Sequence, residues 1–226
     1  MGIPVLILGE SGSGKSASLR NFKKGEVGII NVAGKPLPFK GDLGSYPTDN
    51  YAQIHAILEK AKAKIIVIDD AQYLMANEFM RRAKETGFQK FTDIGQNYWN
   101  LIMTVINKLD DDVVVYFMSH IERDQEGHEK VKTIGKLLDE KITTEGLFSI
   151  VLKTQVKDGK YSFVTQTNGM DTVKSPIGLF EELEIDNDLK IVDQKIREYY
   201  ELDKKSTTKK TEVEKKINDF FTRMSK

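Results

Sequence analysis

Residues 9–16 read GESGSGKS, a complete G-x-x-x-x-G-K-[ST] pattern. Directly before it, Ile3 to Leu8 is a short apolar run that predicts a buried strand, and a helix is predicted from about Lys15. This order of strand, glycine-rich loop and helix is the context in which the pattern builds a phosphate site. A glycine-rich turn that matches all these positions by accident is a much weaker interpretation. The pattern therefore predicts a phosphate site at the end of the first strand.

Each residue type in this loop suits phosphate binding. Gly9, Gly12 and Gly14 allow a tight turn whose backbone N–H groups, with the helix N-terminus, form a nest for the β-phosphate. Lys15 is predicted to reach the β- and γ-phosphate oxygens, and the Ser16 hydroxyl to bind Mg²⁺. The predicted nucleotide-binding residues are Gly9, Glu10, Ser11, Gly12, Ser13, Gly14, Lys15, Ser16 and Ala17.

Two adjacent aspartates, Asp69 and Asp70, follow the apolar run IIVI. An acidic residue that ends a hydrophobic strand near such a loop helps to hold magnesium, so Asp69 is predicted to bind Mg²⁺ directly or through a water. Asp70 has two interpretations. It orients or deprotonates the attacking water as a catalytic base, or it caps a helix that begins near Ala71 or Gln72.

Polar residues also end the predicted strand VVVYFM, where Ser119 and His120 follow. Ligands of open α/β sheets bind outside the carboxyl ends of the strands, so His120 is predicted to sense the γ-phosphate. The alternative is a partly exposed loop histidine. Metal binding by the three histidines is not expected, since their spacing matches no compact ligand pattern.

Strands alternate with helices along the chain, which predicts a three-layer α/β domain with a mostly parallel sheet. The runs LFSIVLKTQ and YSFVTQ flank Asp158-Gly159, a strong turn signal, and predict an antiparallel edge hairpin. Residues 175–183 and 187–200 are predicted as C-terminal helices, and the highly charged residues 122–140 as a partly mobile loop. The predicted organisation is a domain at 1–202, a flexible linker at 203–212 and a short amphipathic helix at 213–226.

The amino-acid composition limits the kinds of partner and the cellular location that we expect. The 226 residues include no cysteine, which favours a reducing cytoplasm. No apolar run approaches the roughly 20 residues that a spanning helix needs, so no membrane is expected. Lys and Arg together number 34, as do Asp and Glu, so any contact with a polyanion has to come from a local patch.

The segments GESGSGKS, IIVIDDAQYL and VVVYFMSHIE, in this order and spacing, resemble the RecA-like P-loop ATPases of bacteriophages. Within the AAA-type and RecA-like proteins, the chain is most similar to small phage ATPases implicated in single-strand annealing and recombination. The segment TNGMDTVKSPIGLFEELEIDNDL resembles the C-terminal part of that group, so the likeness covers roughly residues 2–202.

The resemblance implies a RecA-like core that uses ATP with Mg²⁺. The catalytic roles predicted for Lys15, Asp70 and His120 come from the motif and the strand ends. It implies homo-oligomers, as rings or filaments, with ATP sites at subunit interfaces. It further implies single-stranded DNA as a partner, a phage single-strand-binding or replication protein as a second partner, and the bacterial host cytoplasm as the location.

The sequence departs from the RecA-like pattern in two places. A catalytic Glu usually ends the strand after the glycine-rich loop, but here that strand ends NVAGK without an acid, which favours Asp70 as base, as in the AAA+ branch. There is no clear arginine finger. Lys132 and Lys136 are the best candidates for a cation that reaches a neighbour's γ-phosphate, with Arg123 behind them, and a solvated charged loop is the alternative.

A single-strand-binding surface needs cations beside aromatic stacking platforms. Residues 81–100 and the charged loop at 123–136 are the two candidates. The first offers Arg81, Arg82, Lys84 and Lys90 beside Phe88, Phe91, Tyr98 and Trp99. Core aromatics and a solvated charged face are the alternatives.

The expected function is therefore a Mg²⁺-dependent ATPase that binds single-stranded DNA in phage-type recombination, annealing or replication. A ring-forming AAA+-like helicase or helicase loader is one alternative, and a nucleotide-gated switch with little turnover is another. A P-loop small-molecule kinase is also an alternative, although ERDQEGHEKVK has a single Arg where such kinases usually carry an Arg-rich lid.

Overall fold

The computed structural model describes residues 1–204. The predicted linker, apart from Asp203 and Lys204, and the predicted tail helix lie outside the described residues. The strands are β1 Ile3–Leu8, β2 Gly28–Asn31, β3 Tyr46–Pro47, β4 Ile65–Asp69, β5 Val114–Ser119, β6 Ile121–Arg123, β7 Glu129–Val131, β8 Ile150–Lys157, β9 Lys160–Val164 and β10 Glu184–Asp186. The helices are α1 Tyr51–Lys60, α2 Tyr73–Arg81, α3 Gln89–Lys108 and α4 Leu189–Tyr200.

The main sheet has the strand order β10-β9-β8-β1-β5-β4-β2-β3. All pairs from β8 to β3 are parallel, and the β8–β9 and β9–β10 pairs are antiparallel. The predicted mostly parallel sheet with an antiparallel edge hairpin is therefore confirmed. Asp158 and Gly159 form the hairpin turn with φ of 52° and 76°, as an Asp-Gly turn requires.

The sheet is covered on both faces, which gives a three-layer arrangement. Leu6 and Leu8 of β1 face a core built with α1, α2 and α3, whereas Val5 and Ile7 face a second core that includes α4. Successive strand residues point to opposite faces, so a central strand buried on both faces reads as a continuous apolar run. This is why IPVLIL was recognisable as a core strand.

The helix predicted from about Lys15 is wrong in its length, because only a 3-10 helix at Ser16–Leu19 follows the loop. The chain has to return to the start of β2 within a few residues, and Gly25 adopts φ of 87°, which does not continue a helix. The 3-10 helix nevertheless buries Leu19 in the second core.

The first of the two predicted C-terminal helices is also wrong. Residues 175–183 form turns, with Gly178 at φ of 83°, and β10 follows them. Leu179 and Phe180 are buried in the second core, so the apolar spacing there reflects a packed turn. The second predicted helix is confirmed as α4, which Asp188 caps by accepting from the backbone N–H of Lys190.

The charged residues 122–140, predicted as a loop, contain ordered secondary structure. Strands β6 and β7 form an antiparallel hairpin directly after β5, and a short π-helical segment follows at Leu137–Ile142. Ion pairs and hydrogen bonds to the sheet hold this hairpin, so its high charge does not correspond to a solvated loop. None of the helices in residues 1–204 combines the length and the apolar character that a bilayer crossing requires.

Candidate nucleotide-binding site

The predicted site residues come together at the carboxyl ends of the parallel strands. Strand β5 lies between β1 and β4, so the end of β5 separates the glycine loop, defined as residues 9–16, from the aspartate pair. A cavity of about 640 Å³ opens at this edge. Its lining includes Ser11, Gly12, Gly14, Lys15, Ser16, Ala17, Asp69, Asp70 and His120.

The glycine loop has the conformation that its glycines predict. Gly12 and Gly14 adopt φ of 77° and 100°, a region that other residues rarely adopt. A Cβ on Gly9 would lie 2.0 Å from the Thr154 hydroxyl, so the loop starts against a neighbouring strand. The Ser13 hydroxyl is committed inside the loop, since it donates to the Glu10 carbonyl at 2.7 Å. Ser13 and Glu10 therefore shape the loop.

Lys15 is buried in the loop that it was predicted to serve. Its Nζ donates to the carbonyl oxygens of Gly9 and Glu10, both at 2.8 Å. Burial lowers the pKa of Lys15 to about 8, against the opposing attraction of Asp70 and Asp69. An entering phosphate would offer this ammonium a much stronger acceptor than two carbonyls.

Ser16 and Asp69 lie together as predicted. The Ser16 hydroxyl donates to Asp69 Oδ1 at 2.8 Å, across a separation of 53 residues. Burial raises the pKa of the Asp69 carboxyl, and the Ser16 hydrogen bond opposes that rise. A hydroxyl and a carboxylate oxygen at a cavity edge are the hard ligands that Mg²⁺ prefers.

The site fits a magnesium ion that arrives with phosphate. Within residues 1–204 no group of three or more His, Cys, Asp or Glu side chains is placed to hold a metal. Mg²⁺ usually takes one or two protein ligands and completes its shell with phosphate oxygens and waters. Ser16 and Asp69 are the residues that would hold it.

Asp70 does not cap the following helix. Helix α2 begins after Gln72, without a side-chain cap hydrogen bond, so the capping interpretation is wrong. The Asp70 carboxylate instead lies 3.1 Å from Lys35 Nζ and 3.5 Å from His120 Nε2. Burial would raise the pKa of Asp70, but the hydrogen bonds from His120 and Lys35 outweigh it and lower the pKa below its usual range.

His120 is brought to the cavity beside Asp70. Its backbone N–H donates to Gln72 Oε1 at 3.2 Å, and its ring lies edge-on to Tyr73 with 6.1 Å between centroids. Its side chain is 20% exposed and it lies between β5 and β6, so it also fits the alternative of a partly exposed loop histidine. Its role as a phosphate sensor stays a prediction.

Seven cavity-lining residues were missed by the sequence reasoning. They are Arg20, Asn31, Lys35, Pro36, Pro38, Tyr161 and Asn187. Arg20 Nη1 donates to the Asn187 carbonyl at 2.5 Å, which ties the 3-10 helix to the start of α4. Only the residues at and just after the end of β2, Lys35 among them, carried a local signal. The others reach the cavity through long-range contacts that no local pattern encodes.

The predicted finger cations have different surroundings. Arg123 Nη2 lies 2.7 Å from Glu10 of its own glycine loop and 2.7 Å from Glu129. Lys136 is 3.3 Å from Glu140 on the next helical turn. Lys132 lines a second cavity of about 410 Å³ that shares Ser11, Lys35 and His120 with the first.

In the first DNA-contact candidate, residues 81–100, most of the cations and aromatic side chains are ion-paired or buried. Tyr98 is fully buried, so a stacking role for it is wrong, and Trp99 is half-buried and packs against the core. Arg82 pairs with Glu78, Glu85 and Asp93. Arg81 lies 2.5 Å from Asp49, and Lys90 is buried with its Nζ on the Glu85 carbonyl at 2.7 Å. Phe88, at 88% exposure, is the exposed aromatic of this segment.

Comparison with known proteins assigns no family to this arrangement. No protein-family model matches the chain, and no curated protein matches it at a significant level. The functional interpretation therefore depends on the side chains and their geometry.

Proposed function

We propose that the protein is a Mg²⁺-dependent ATPase with a RecA-like P-loop core. One observation carries the proposal: the Ser16 hydroxyl and the Asp69 carboxylate meet at 2.8 Å beside a buried Lys15 in a glycine-rich loop. Serine, acid and lysine are the residues that P-loop proteins use for magnesium and for the β- and γ-phosphates. Their convergence from distant parts of the chain supports a triphosphate as the ligand.

In this proposal, backbone N–H groups of the glycine loop bind the β-phosphate. Lys15 exchanges its carbonyl partners for β- and γ-phosphate oxygens. Ser16 and Asp69 hold Mg²⁺, which when bound neutralises charge that develops on the phosphates. A water oxygen attacks the γ-phosphorus, the bond to the β–γ bridging oxygen breaks, and ADP leaves with that oxygen.

Asp70 takes the proton of the attacking water. Asp69 is hydrogen-bonded to Ser16 and is the proposed metal ligand, which leaves Asp70, beside Lys35 and His120, as the acid for this role. Its lowered pKa keeps it ionised at neutral pH, so it can orient the water by accepting a hydrogen bond, and the same shift makes it a weaker proton acceptor. His120, beside Asp70, senses whether the γ-phosphate is present.

Coupling to single-stranded DNA is the second part of the proposal, and the sequence resemblance supports it. The net charge of zero requires a local cationic surface for this contact. Within the described residues, Arg123 and Lys130 of the β6–β7 hairpin pair with carboxylates, as most cations of 81–100 do. The exposed Lys132, directly after the hairpin, is the cation that we propose for this contact.

A second candidate function is phosphoryl transfer to a small molecule. The cavity of about 410 Å³ beside the candidate γ-phosphate position favours it, because this volume suits a small acceptor. Product analysis separates the two functions. A hydrolase releases ADP and inorganic phosphate from ATP in buffer alone. A kinase releases ADP only when the acceptor is present, and the phosphoryl group is then found on the acceptor.

The test is ATP binding and phosphate release with Mg²⁺, with Lys15→Ala as the inactive control. We expect turnover that requires Mg²⁺ and is lost in the variant. Binding of ATP without phosphate release would overturn the hydrolase assignment and favour the kinase or a nucleotide-gated switch. An absence of ATP binding would overturn the nucleotide site itself.

A further inference from the structure

Lys35 lies at the wall between the two cavities. Its Nζ is 3.1 Å from Asp70 Oδ2 and 5.0 Å from the centroid of the Tyr73 ring. The residue lines both the 640 Å³ and the 410 Å³ cavity. Its side chain is 62% exposed, so the ammonium can turn from Asp70 toward a ligand without unpacking the core.

The backbone of Lys35 is fixed although its side chain is free to move. The Asn31 amide at the end of β2 donates to the Lys35 carbonyl at 2.6 Å. The backbone N–H of Gly34, which has φ of 65°, donates to the Asn31 carbonyl at 3.3 Å. Asn31 is buried, so this tight turn is anchored in the sheet and fixes the backbone position of Lys35.

Lys15 and Lys35 line the same cavity as the aspartate pair. Burial is the main cause of the lowered pKa of Lys15, and the positive charge of Lys35 lowers it further. The hydrogen bond to Asp70 raises the pKa of Lys35, and the charge of Asp69 adds to the rise. A terminal phosphate between these groups would relieve the mutual repulsion of the two ammonium groups.

We propose that Lys35 is a catalytic cation that contacts the γ-phosphate within the same chain. The proposal rests on the proposed ATPase function and names the group that supplies the positive charge. Arg123 and Lys136 line neither cavity and Lys132 lines only the smaller one, whereas Lys35 lines both. The carboxylate that Lys35 contacts is that of the candidate base itself. In this proposal the cation at the γ-phosphate comes from the same chain.

Phosphoryl transfer spreads negative charge over the equatorial oxygens of the γ-phosphate, and a cation there accelerates the reaction 10³–10⁵-fold in other enzymes. An ammonium is a point charge without the bidentate geometry of arginine. We therefore expect Lys35→Ala to lower turnover about 100-fold or more. Lys40→Ala, on the same loop and outside both cavity linings, is the matched control and is expected to keep full turnover.

Ligand binding tests the contact itself. We expect Lys35→Ala to weaken the β,γ-imido analogue of ATP about 10-fold, as expected for a lost hydrogen bond between charged groups. Affinity for ADP, which lacks the γ-phosphate, is expected to stay unchanged. An equal loss of affinity for both ligands, or no loss for either, would overturn the γ-phosphate contact. Thermal unfolding of the variant checks that the exposed substitution leaves the fold intact.

Two further measurements separate Lys35 from its alternatives. If Lys35 acts only by orienting Asp70, Lys35→Ala causes no further loss in an Asp70→Asn background; a contact with phosphate gives an additional loss. Turnover per chain is expected to be independent of protein concentration. If the specific activity rises with protein concentration, and rises equally in wild-type protein and Lys35→Ala, the proposal of a cation from the same chain is overturned.

Failure of this inference is distinct from failure of the ATPase proposal. Wild-type protein that hydrolyses ATP while Lys35→Ala matches it would reject the role of Lys35 and leave the ATPase proposal intact. Wild-type protein that binds ATP without hydrolysing it would reject the ATPase, and the comparison of ADP with the imido analogue would still test the contact.

Discussion

Asp70 has a backbone conformation that is unusual for a residue with a side chain. Its φ of 58° is in the left-handed region, which costs roughly 1–2 kcal/mol for such a residue. Hydrogen bonds on both sides hold it, because Ala71 N–H donates to the Met118 carbonyl at 2.7 Å and Tyr73 N–H to the Asp70 carbonyl at 2.9 Å. The turn points the carboxylate away from α2 and toward the cavity.

Replacing Asp70 with Asn tests its proposed role as base. The amide keeps the size and the tolerance for left-handed φ but does not accept a proton, so we expect turnover to fall about 10²–10⁴-fold. Nucleotide affinity is expected to change little. Phosphate release and ATP binding measured on the same preparation check both, and near-normal turnover would reject the base role. Asp42→Asn, at an exposed ion pair with Lys24, is the control.

The Ser16 hydroxyl is expected to determine the magnesium requirement. Ser16→Ala removes one of the two candidate metal ligands, so the Mg²⁺ concentration for half-maximal turnover is expected to rise about 10-fold. Ser16→Thr keeps a hydroxyl, which the sequence pattern allows, and is expected to restore the wild-type requirement. Equal Mg²⁺ requirements for Ser16→Ala and wild-type protein would remove Ser16 from the metal site.

The glycine loop depends on both conformation and close packing. A Cβ on Gly14 would lie 2.7 Å from Tyr161 Cδ1, and φ there is 100°. Gly14→Ala is therefore expected to lose nucleotide binding and to lower the free energy of unfolding by about 1–3 kcal/mol. Gly44→Ala is the matched control, because a Cβ there meets no atom within 4 Å. Equal nucleotide affinity of the two variants would show that the loop is not the binding element.

The β6–β7 hairpin is joined to the sheet by a chain of ion pairs. Arg123 links Glu10 to Glu129, and Lys153 of β8 lies 2.9 Å from Glu129 and 2.6 Å from Asp171. Burial opposes charge on Glu129 and Lys153, but hydrogen bonds outweigh it: Lys153 donates to Asp171 and Glu129, and Glu129 also accepts from Arg123. These hydrogen bonds lower the pKa of Glu129 and raise the pKa of Lys153.

These pKa shifts give the pH range in which the network stabilises the fold. A lowered glutamate pKa contributes stability above the ordinary value of about 4.3, and this contribution is lost as pH falls through the folded-state pKa. A raised lysine pKa contributes stability below about 10.4 that is lost as pH rises through the folded-state pKa. Stability is therefore expected to be highest between these limits, which unfolding at several pH values checks.

Breaking the network at its centre is expected to be costly. Lys153→Met leaves Asp171, with a side chain only 1% exposed, and Glu129 without their shared cation. Removing one partner of a buried pair costs about 3–5 kcal/mol, measured by denaturant unfolding. Lys24→Met, at a pair whose side chains are 73% and 85% exposed, is expected to leave the midpoint unchanged. A midpoint for Lys153→Met equal to that of Lys24→Met would contradict this reading of the network.

The proposed coupling to single-stranded DNA is tested on the whole chain. We expect single-stranded DNA to stimulate ATP turnover, and the stimulation to fade between low and moderate salt, because phosphate contacts release counterions. Lys15→Ala serves as the background control. Turnover and oligomer size that do not respond to DNA would move the assignment to a kinase or a protein-partnered switch.

Local sequence patterns were sufficient to predict the strands and turns that depend mainly on their own residues. The apolar runs predicted β1, β4 and β5, the Asp-Gly pair predicted the β8–β9 turn, and the motif predicted where the glycine loop begins. These features depend on side-chain period and on backbone preferences of single residues, which a sequence carries directly. The aspartates at the end of β4 were recognisable for the same reason.

The contacts that complete the site depend on strand order, which no local pattern specifies. Placing β5 between β1 and β4 puts His120 beside Asp70, and the turn after β2 brings Lys35 to the same carboxylate. The α-helices predicted after Lys15 and over residues 175–183 are not formed. After Lys15 the chain has few residues before β2 begins, and in 175–183 burial of Leu179 and Phe180 in the second core outweighs local helix propensity. Sequence by itself defined the chemistry of the loop and the aspartates, and the packing of distant strands defined which charges meet there.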